Sequence, residues 1–128
     1  MKVVDASVVM KILLDEENRE IAVNLLRSEE KIVVPDILFV EVANALATKT
    51  AFAAQRIEKG MDFVYRMGFE VETTSRNLLI TSAKLAREKG TAVYDMIYAV
   101  LAQKNKVQLI TADEKFVRKV NLSFVKLL

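Results

Sequence analysis

The chain has 128 residues, 52% of them apolar, a mean hydropathy of +0.21 and a formal net charge of +2, which fits one domain over residues 1–128 around a single core. It has no Cys and no His, so disulfide scaffolds, thiol nucleophiles, Ser-His-Asp catalysis and zinc sites built on His or Cys are excluded. Any catalysis falls to carboxylates, hydroxyls, amines or a hard cation such as Mg²⁺ or Mn²⁺ held by oxygen.

Short β-branched runs alternate with longer stretches of helical spacing. Val3-Val4 reads as a first strand, followed by helices over Ser7 to Asp15 and Asn18 to Ser28. Ile32 to Val34 reads as the second strand, leading into helices over Asp36 to Lys49 and Phe52 to Met67. Phe69 to Glu72 is a third strand, with helices over Asn77 to Lys89 and Thr91 to Asn105 behind it. Val107 to Thr111, a short helix over Asp113 to Val120, and a strand over Phe124 to Leu127 complete the chain. Strand–helix alternation of this kind predicts an α/β layered fold with a mostly parallel sheet.

Local punctuation agrees. Ser7 is suited to cap the first helix, and Pro35-Asp36 to open the third. Gly68 and Gly90 fall just past helix ends, where a left-handed residue is favoured. Gly60 falls inside the fourth helical pattern and weakens it. Asp5 and Lys11 break the apolar run at the N-terminus, so it does not read as a signal peptide. No stretch approaches the roughly 18 apolar residues of a spanning helix. The expectation is a soluble, cytoplasmic protein with no membrane segment.

Four carboxylates occupy positions where burial is hard to avoid. Asp5 ends the first strand, and Glu41 interrupts the apolar run Ile37 to Ala43. Asp95 lies inside Ala92 to Tyr98, and Asp113 follows the strand ending at Thr111. An ionised side chain removed from water costs several kcal/mol unless it is paired or bound to a cation. No Lys or Arg is close in sequence to Glu41 or Asp95. A shared divalent cation neutralises all four together, and Asp5 and Asp113 fall at strand carboxyl ends, where sheets of this type gather their ligands.

Each acid also has a plainer reading. Asp5-Ala6-Ser7 and Thr111-Ala112-Asp113 are ordinary strand-to-helix capping sequences. Glu41 shares a helical face with Asn44, Ala45 and Thr48, which a solvated polar stripe would also explain, whereas Leu38, Val42 and Leu46 point to the core. Asp95 is the hardest to explain away. It shares a narrow face with Tyr98, Ala99 and Ala102, while Met96, Ile97, Val100 and Leu101 belong to the core. Lys115, Arg118 and Lys119 make a small basic face that solubility alone would account for. Phe39, Phe52, Met61, Phe63 and Met67 concentrate apolar surface in two helices, suggesting an association surface.

Together the motifs resemble the PIN-domain family, and especially its short members, the VapC-type toxin ribonucleases. The likeness rests on Val4 to Val9, Glu41 to Leu46, Tyr94 to Ala102 and Leu109 to Asp113, in that order and spanning the chain. It implies a PIN-like three-layer α/β/α fold with a central, mostly parallel five-stranded sheet. It also implies an acidic quartet, Asp5, Glu41, Asp95 and Asp113, binding Mg²⁺ or Mn²⁺, with Ser7, Asn44 and Thr111 as polar support. The implied activity is a metal-dependent endoribonuclease acting on an RNA substrate as the toxin of a toxin–antitoxin pair. Its implied partners are a small antitoxin protein and a second copy of the chain in a homodimer or higher assembly. Met96 departs from the pattern, where Ala or Cys is common. A Mg²⁺-dependent phosphatase with Asp5 as nucleophile is the main alternative enzyme, although Ser7 stands where such enzymes often carry a second Asp. A non-catalytic RNA- or protein-binding module of the same fold is the other alternative.

Overall fold

The structure, a computed structural model, describes residues 1–49 and 52–128. Among them are five short strands and seven α-helices: β1 (Lys2–Val4), α1 (Ala6–Leu13), α2 (Arg19–Arg27), β2 (Ile32–Pro35), α3 (Ile37–Thr48), α4 (Ile57–Tyr65), β3 (Glu70–Glu72), α5 (Arg76–Lys89), α6 (Val93–Lys104), β4 (Leu109–Thr111), α7 (Glu114–Val120) and β5 (Val125–Leu127). All strand pairs are parallel, in the order β3-β2-β1-β4-β5. None of the described helices is long and apolar enough to cross a membrane.

This order follows from a reversal in winding direction. From β1 the chain steps outward through β2 to β3, then returns to lay β4 on the other side of β1. Crossovers between parallel strands are right-handed, so the reversal sends the later helices to the opposite face. Accordingly α1 packs on α2 and α3, and α3 on α4, whereas α5 packs on α6. The result is a three-layer α/β/α fold whose direction switches between β1 and β4.

Burial matches these layers. Val3, Val4, Val33, Val34 and Leu109 fill the central strands, which helices cover on both faces. Val8 and Val9 of α1, with Leu38, Val42 and Leu46 of α3, pack from one side. Helix α6 is buried all round from Met96 to Ala102 and lies on β1, β2 and β4. Edge strand β3 is charged: Lys31, beside β2, pairs with its Glu70, and Glu72 pairs with Lys104. Charged edges of this kind resist strand addition.

Some local expectations need correction. Asp5, not Ser7, caps α1: its carboxylate accepts from the Ser7 backbone N–H, and Ser7 lies inside the helix. Asp36 precedes α3 but makes no capping bond, because its carboxylate turns instead to Thr74 beyond β3. The helix expected over Phe52 to Met67 begins as a 3₁₀ turn at Ala54–Arg56 and becomes α-helical only over Ile57–Tyr65. Gly60 does not interrupt it. A Cβ there would stand 3.0 Å from Leu46 Cδ1, so the missing side chain lets α4 close onto α3. Gly68 and Gly90 both take positive φ, as their positions past helix ends require. Of the five apolar residues expected at an association surface, Phe52 is buried, Phe39, Met61 and Met67 are half-buried against the core, and Phe63 alone is exposed.

Candidate active site

At the switch between β1 and β4, a cavity of about 290 Å³ opens above the strand carboxyl ends. Asp5 leaves β1 at its floor and is only 8% exposed. Its burial is compensated by donors on both oxygens. Oδ1 accepts from the Ser7 backbone N–H at 3.1 Å and from the Ser7 hydroxyl, while Oδ2 accepts from the Thr111 hydroxyl at 2.5 Å. These hydroxyls are themselves held from the β4 side. Ala112 N–H donates to Ser7 Oγ at 2.9 Å, and Asp113 N–H donates to Thr111 Oγ1 at 3.1 Å. One hydrogen-bonded unit therefore ties the end of β1 to the end of β4, across a sequence separation of 106 residues.

The other acids arrive on separate helices. Glu41 faces the cavity from the second turn of α3, one step off the buried stripe of Leu38 and Val42. Its Oε2 accepts a 2.6 Å hydrogen bond from the Tyr98 hydroxyl of α6. Asp95 sits in the first turn of α6, half-buried. Asp113 caps α7 by accepting from Phe116 N–H at 3.0 Å and is exposed. None of the four acids forms an ion pair among the described residues.

Their electrostatics show what this closeness costs. Burial pushes the Asp5 carboxyl up to about 6, against the pull of its Ser7 and Thr111 bonds, and the charge of Asp95 adds to the rise. Burial raises Glu41 to about 7; the Tyr98 bond opposes this, and the charges of Asp95 and Asp5 add to it. Asp95 is raised by burial first and by Asp113 second. Asp5, Glu41 and Asp95 thus each feel at least one of the other acids. Burial and the charge of Glu41 push the Tyr98 hydroxyl far above its ordinary range, so it remains a donor.

Among the described residues, no three acids already converge into a ready ligand cluster. A hard cation that keeps several of its waters needs only one or two direct carboxylates. The donor set is oxygen throughout, with unpaired negative charge around one solvent-open cavity. Mg²⁺ or Mn²⁺ suits these residues; zinc, which favours N and S ligands, does not.

Of the residues singled out in the sequence, Asp5, Ser7, Glu41, Asn44, Asp95 and Asp113 all line this cavity, and Thr111 lies directly beneath it. Asn44 is exposed, and no acid accepts from its side chain. Tyr98 was not singled out. It reads as one more residue on the small-residue face of α6, and its signal would have been a hydroxyl in a helix otherwise buried all round.

In an open α/β sheet the topological switch point is where ligands bind, and the acidic cleft lies there. The chain belongs to the PIN domain family, whose model matches residues 2–122. Its fold is shared with solved structures at low identity. A toxin–antitoxin complex from Klebsiella pneumoniae aligns at a TM-score of 0.76 and 16% identity, covering 98% of this chain and 96% of that one. PAE2754 from Pyrobaculum aerophilum aligns at 0.74 and 21%, covering 98% and 87%. VapBC2 from Rickettsia felis, bound to a DNA fragment from their promoter, aligns at 0.70 and 16%, covering 98% and 97%. No curated protein matches the sequence.

Proposed function

We propose that the chain is a metal-dependent endoribonuclease and the toxin of a toxin–antitoxin pair. The observation that carries this reading is the gathering of Asp5, Glu41, Asp95 and Asp113, from four different elements, around one cavity, with no cationic side chain among the described residues paired to them. Asp5, Asp95 and Asp113 would hold the Mg²⁺ or Mn²⁺ ion, with Glu41 adding its charge to the same site. When bound, that ion supplies positive charge that acidifies water and offsets charge on the phosphoryl oxygens. Ser7 and Thr111 keep the Asp5 carboxylate in one orientation by donating to it.

Glu41 is the proton acceptor. Burial raises its carboxyl above the ordinary range, which strengthens it as a proton acceptor. Tyr98 occupies Oε2, which leaves Oε1 for the attacking water. Water oxygen bonds to phosphorus, the bond from phosphorus to the 3′ oxygen breaks in line, and the 3′ oxygen takes a proton from solvent. The products are a 5′-phosphate and a free 3′-hydroxyl. A phosphatase using Asp5 as nucleophile is less well supported, because both Asp5 oxygens already accept hydrogen bonds.

Partner binding is supported by a second region. Adjoining cavities of about 400, 300 and 220 Å³ run between the α1–α2 pair and α4. Ile12, Val23 and Phe63 give this groove an apolar wall, and Arg27, Arg56, Lys59 and Arg66 a cationic one. An antitoxin segment carrying apolar and acidic residues fits it. Self-association is supported by Val40 at 69% and Tyr65 at 65% exposure, with the Tyr65 ring stacked on Phe39 at 4.2 Å. Light scattering is expected to report at least a dimer.

The test is RNA cleavage with Mn²⁺ and EDTA arms and mass spectrometry of the fragments. Cleavage in the Mn²⁺ arm alone, giving 5′-phosphate ends, is the expected result. A 2′,3′-cyclic phosphate, or cleavage unaffected by EDTA, would sink the mechanism. Absence of cleavage together with no Mn²⁺-dependent thermal shift would favour the non-catalytic binding module.

A further inference from the structure

We infer that Tyr98 is a positioning residue for Glu41, fixing through its hydroxyl which oxygen of that carboxylate faces the cavity. The inference rests on the proposed metal site and adds to it a residue outside the acidic set. Tyr98 is 1% exposed and is the largest fully buried side chain among the described residues. A phenylalanine would fill the same core volume without a polar atom to satisfy. The hydroxyl is nevertheless present at the cavity wall, and its partner is not a helix carbonyl. It is Glu41 Oε2, 57 residues away on another helix.

The location gives that bond its consequence. Tyr98 stands one turn after Asp95 on α6, so the helix that delivers one acid also grips a second. α3 and α6 belong to opposite layers of the fold, and this bond joins them above the sheet. A Glu side chain has three rotatable torsions, and the half-buried Glu41 borders an open cavity. A 2.6 Å bond from a rigid, buried donor removes much of that freedom before any ligand arrives. Asp5 is already fixed by Ser7 and Thr111. With Tyr98, the two acids whose own elements bury them most deeply are both locked from beneath, while Asp95 and Asp113 accept no comparable side-chain donor.

Tyr98→Phe removes the hydroxyl and keeps the ring. Mn²⁺ binding is measured by calorimetry on the wild type, Tyr98→Phe, Glu41→Gln and the double variant, with kcat and KM for RNA cleavage alongside. Outer hydrogen-bond partners of metal ligands are commonly worth about ten- to a hundredfold in affinity or activity. Tyr98→Phe is therefore expected to weaken Mn²⁺ by about tenfold and to lower kcat with little change in KM. In the Glu41→Gln background the same substitution should change neither, because the hydroxyl acts through that carboxylate. Equal losses in both backgrounds would mean a general packing role and would overturn the inference. So would a Tyr98→Phe protein that matches a Mn²⁺-binding wild type. A wild type that binds no Mn²⁺ overturns the metal-site reading and this inference with it.

Discussion

Two aspartates follow two neighbouring strands in this fold, and their immediate surroundings are nearly the same. Asp5 leaves β1 and accepts from a backbone N–H and from the hydroxyl of Thr111 at 2.5 Å. Asp36 leaves β2 and accepts from the backbone N–H of Thr74 at 3.2 Å and from its hydroxyl at 2.5 Å. Each latches the end of one strand to a segment beyond another. Their company differs. Asp5 stands at the switch between β1 and β4, where the helices of both layers bring Glu41, Asp95 and Asp113 to the same cavity. Asp36 stands one strand outward, away from that cavity. A similar pairing of an aspartate with a backbone N–H and a threonine hydroxyl is a structural latch in one place and part of a charged site in the other, because only the switch point collects acids from both directions of winding.

The largest expected effect comes from neutralising the site. Asp95→Asn should lower RNA cleavage at least about a hundredfold, the lower range for losing a group that acts directly on the reaction. Its melting temperature in EDTA should stay close to wild type, since Asp95 has no ion pair or side-chain donor to lose. A collapse of stability with the loss of activity would make Asp95 structural and erase the contrast with Asp36.

The charge of the site should also appear in the pH dependence of stability. Asp5 is raised from 3.8 to about 6 in the folded protein, and Glu41 from 4.5 to about 7. A raised folded pKa means that the native state holds the proton more tightly than the unfolded chain. The associated stability is fully present below the unfolded value and is lost as pH rises through the folded one. In metal-free buffer, unfolding free energy should therefore fall between about pH 4 and pH 7. Asp5 alone would contribute up to about 3 kcal/mol of that fall. Urea titrations comparing wild type with Asp5→Asn across this range check it: the variant should lack that part of the slope. Parallel curves would mean that Asp5 is not under charge strain.

Cation binding should reverse the penalty. At a hundred times its Kd, Mn²⁺ is expected to stabilise the wild type by about 2.7 kcal/mol. Asp36→Ala should gain as much and Asp5→Asn much less, as read by thermal shift. Equal gains in all three would place the ion elsewhere.

The smallest effect belongs to the latch. Asp36→Ala removes two hydrogen bonds and should cost about 1 kcal/mol, or about 4 °C in melting temperature. Cleavage should be retained. If cleavage falls with it, the Thr74 segment contributes to the site and the two aspartates are not separable.

The sequence by itself determined the local features of this protein. Helical and strand periodicities depend on neighbours within a turn or two, and they located all five strands and seven helices to within a few residues. Gly68 and Gly90 marked their left-handed turns for the same reason, and the four acids stood out because each broke an apolar pattern. Partners distant along the chain were decided by the tertiary structure. Ser7 reads as a helix cap until β4 arrives with Ala112 and Thr111 and draws its hydroxyl into the Asp5 network. Asp36 likewise reads as part of the opening of α3 until Thr74, 38 residues on, claims its carboxylate. Gly60 reads as a helix interruption until Leu46 packs against it. The strand order, and with it the cavity that joins acids from both layers, depends on which side of β1 the chain chooses on its return. No local pattern encodes that choice, because it is settled by which packing buries α6 on every side. Tyr98 is the sharpest case: its ring is legible as core from sequence, but the direction of its hydroxyl depends on a glutamate 57 residues away.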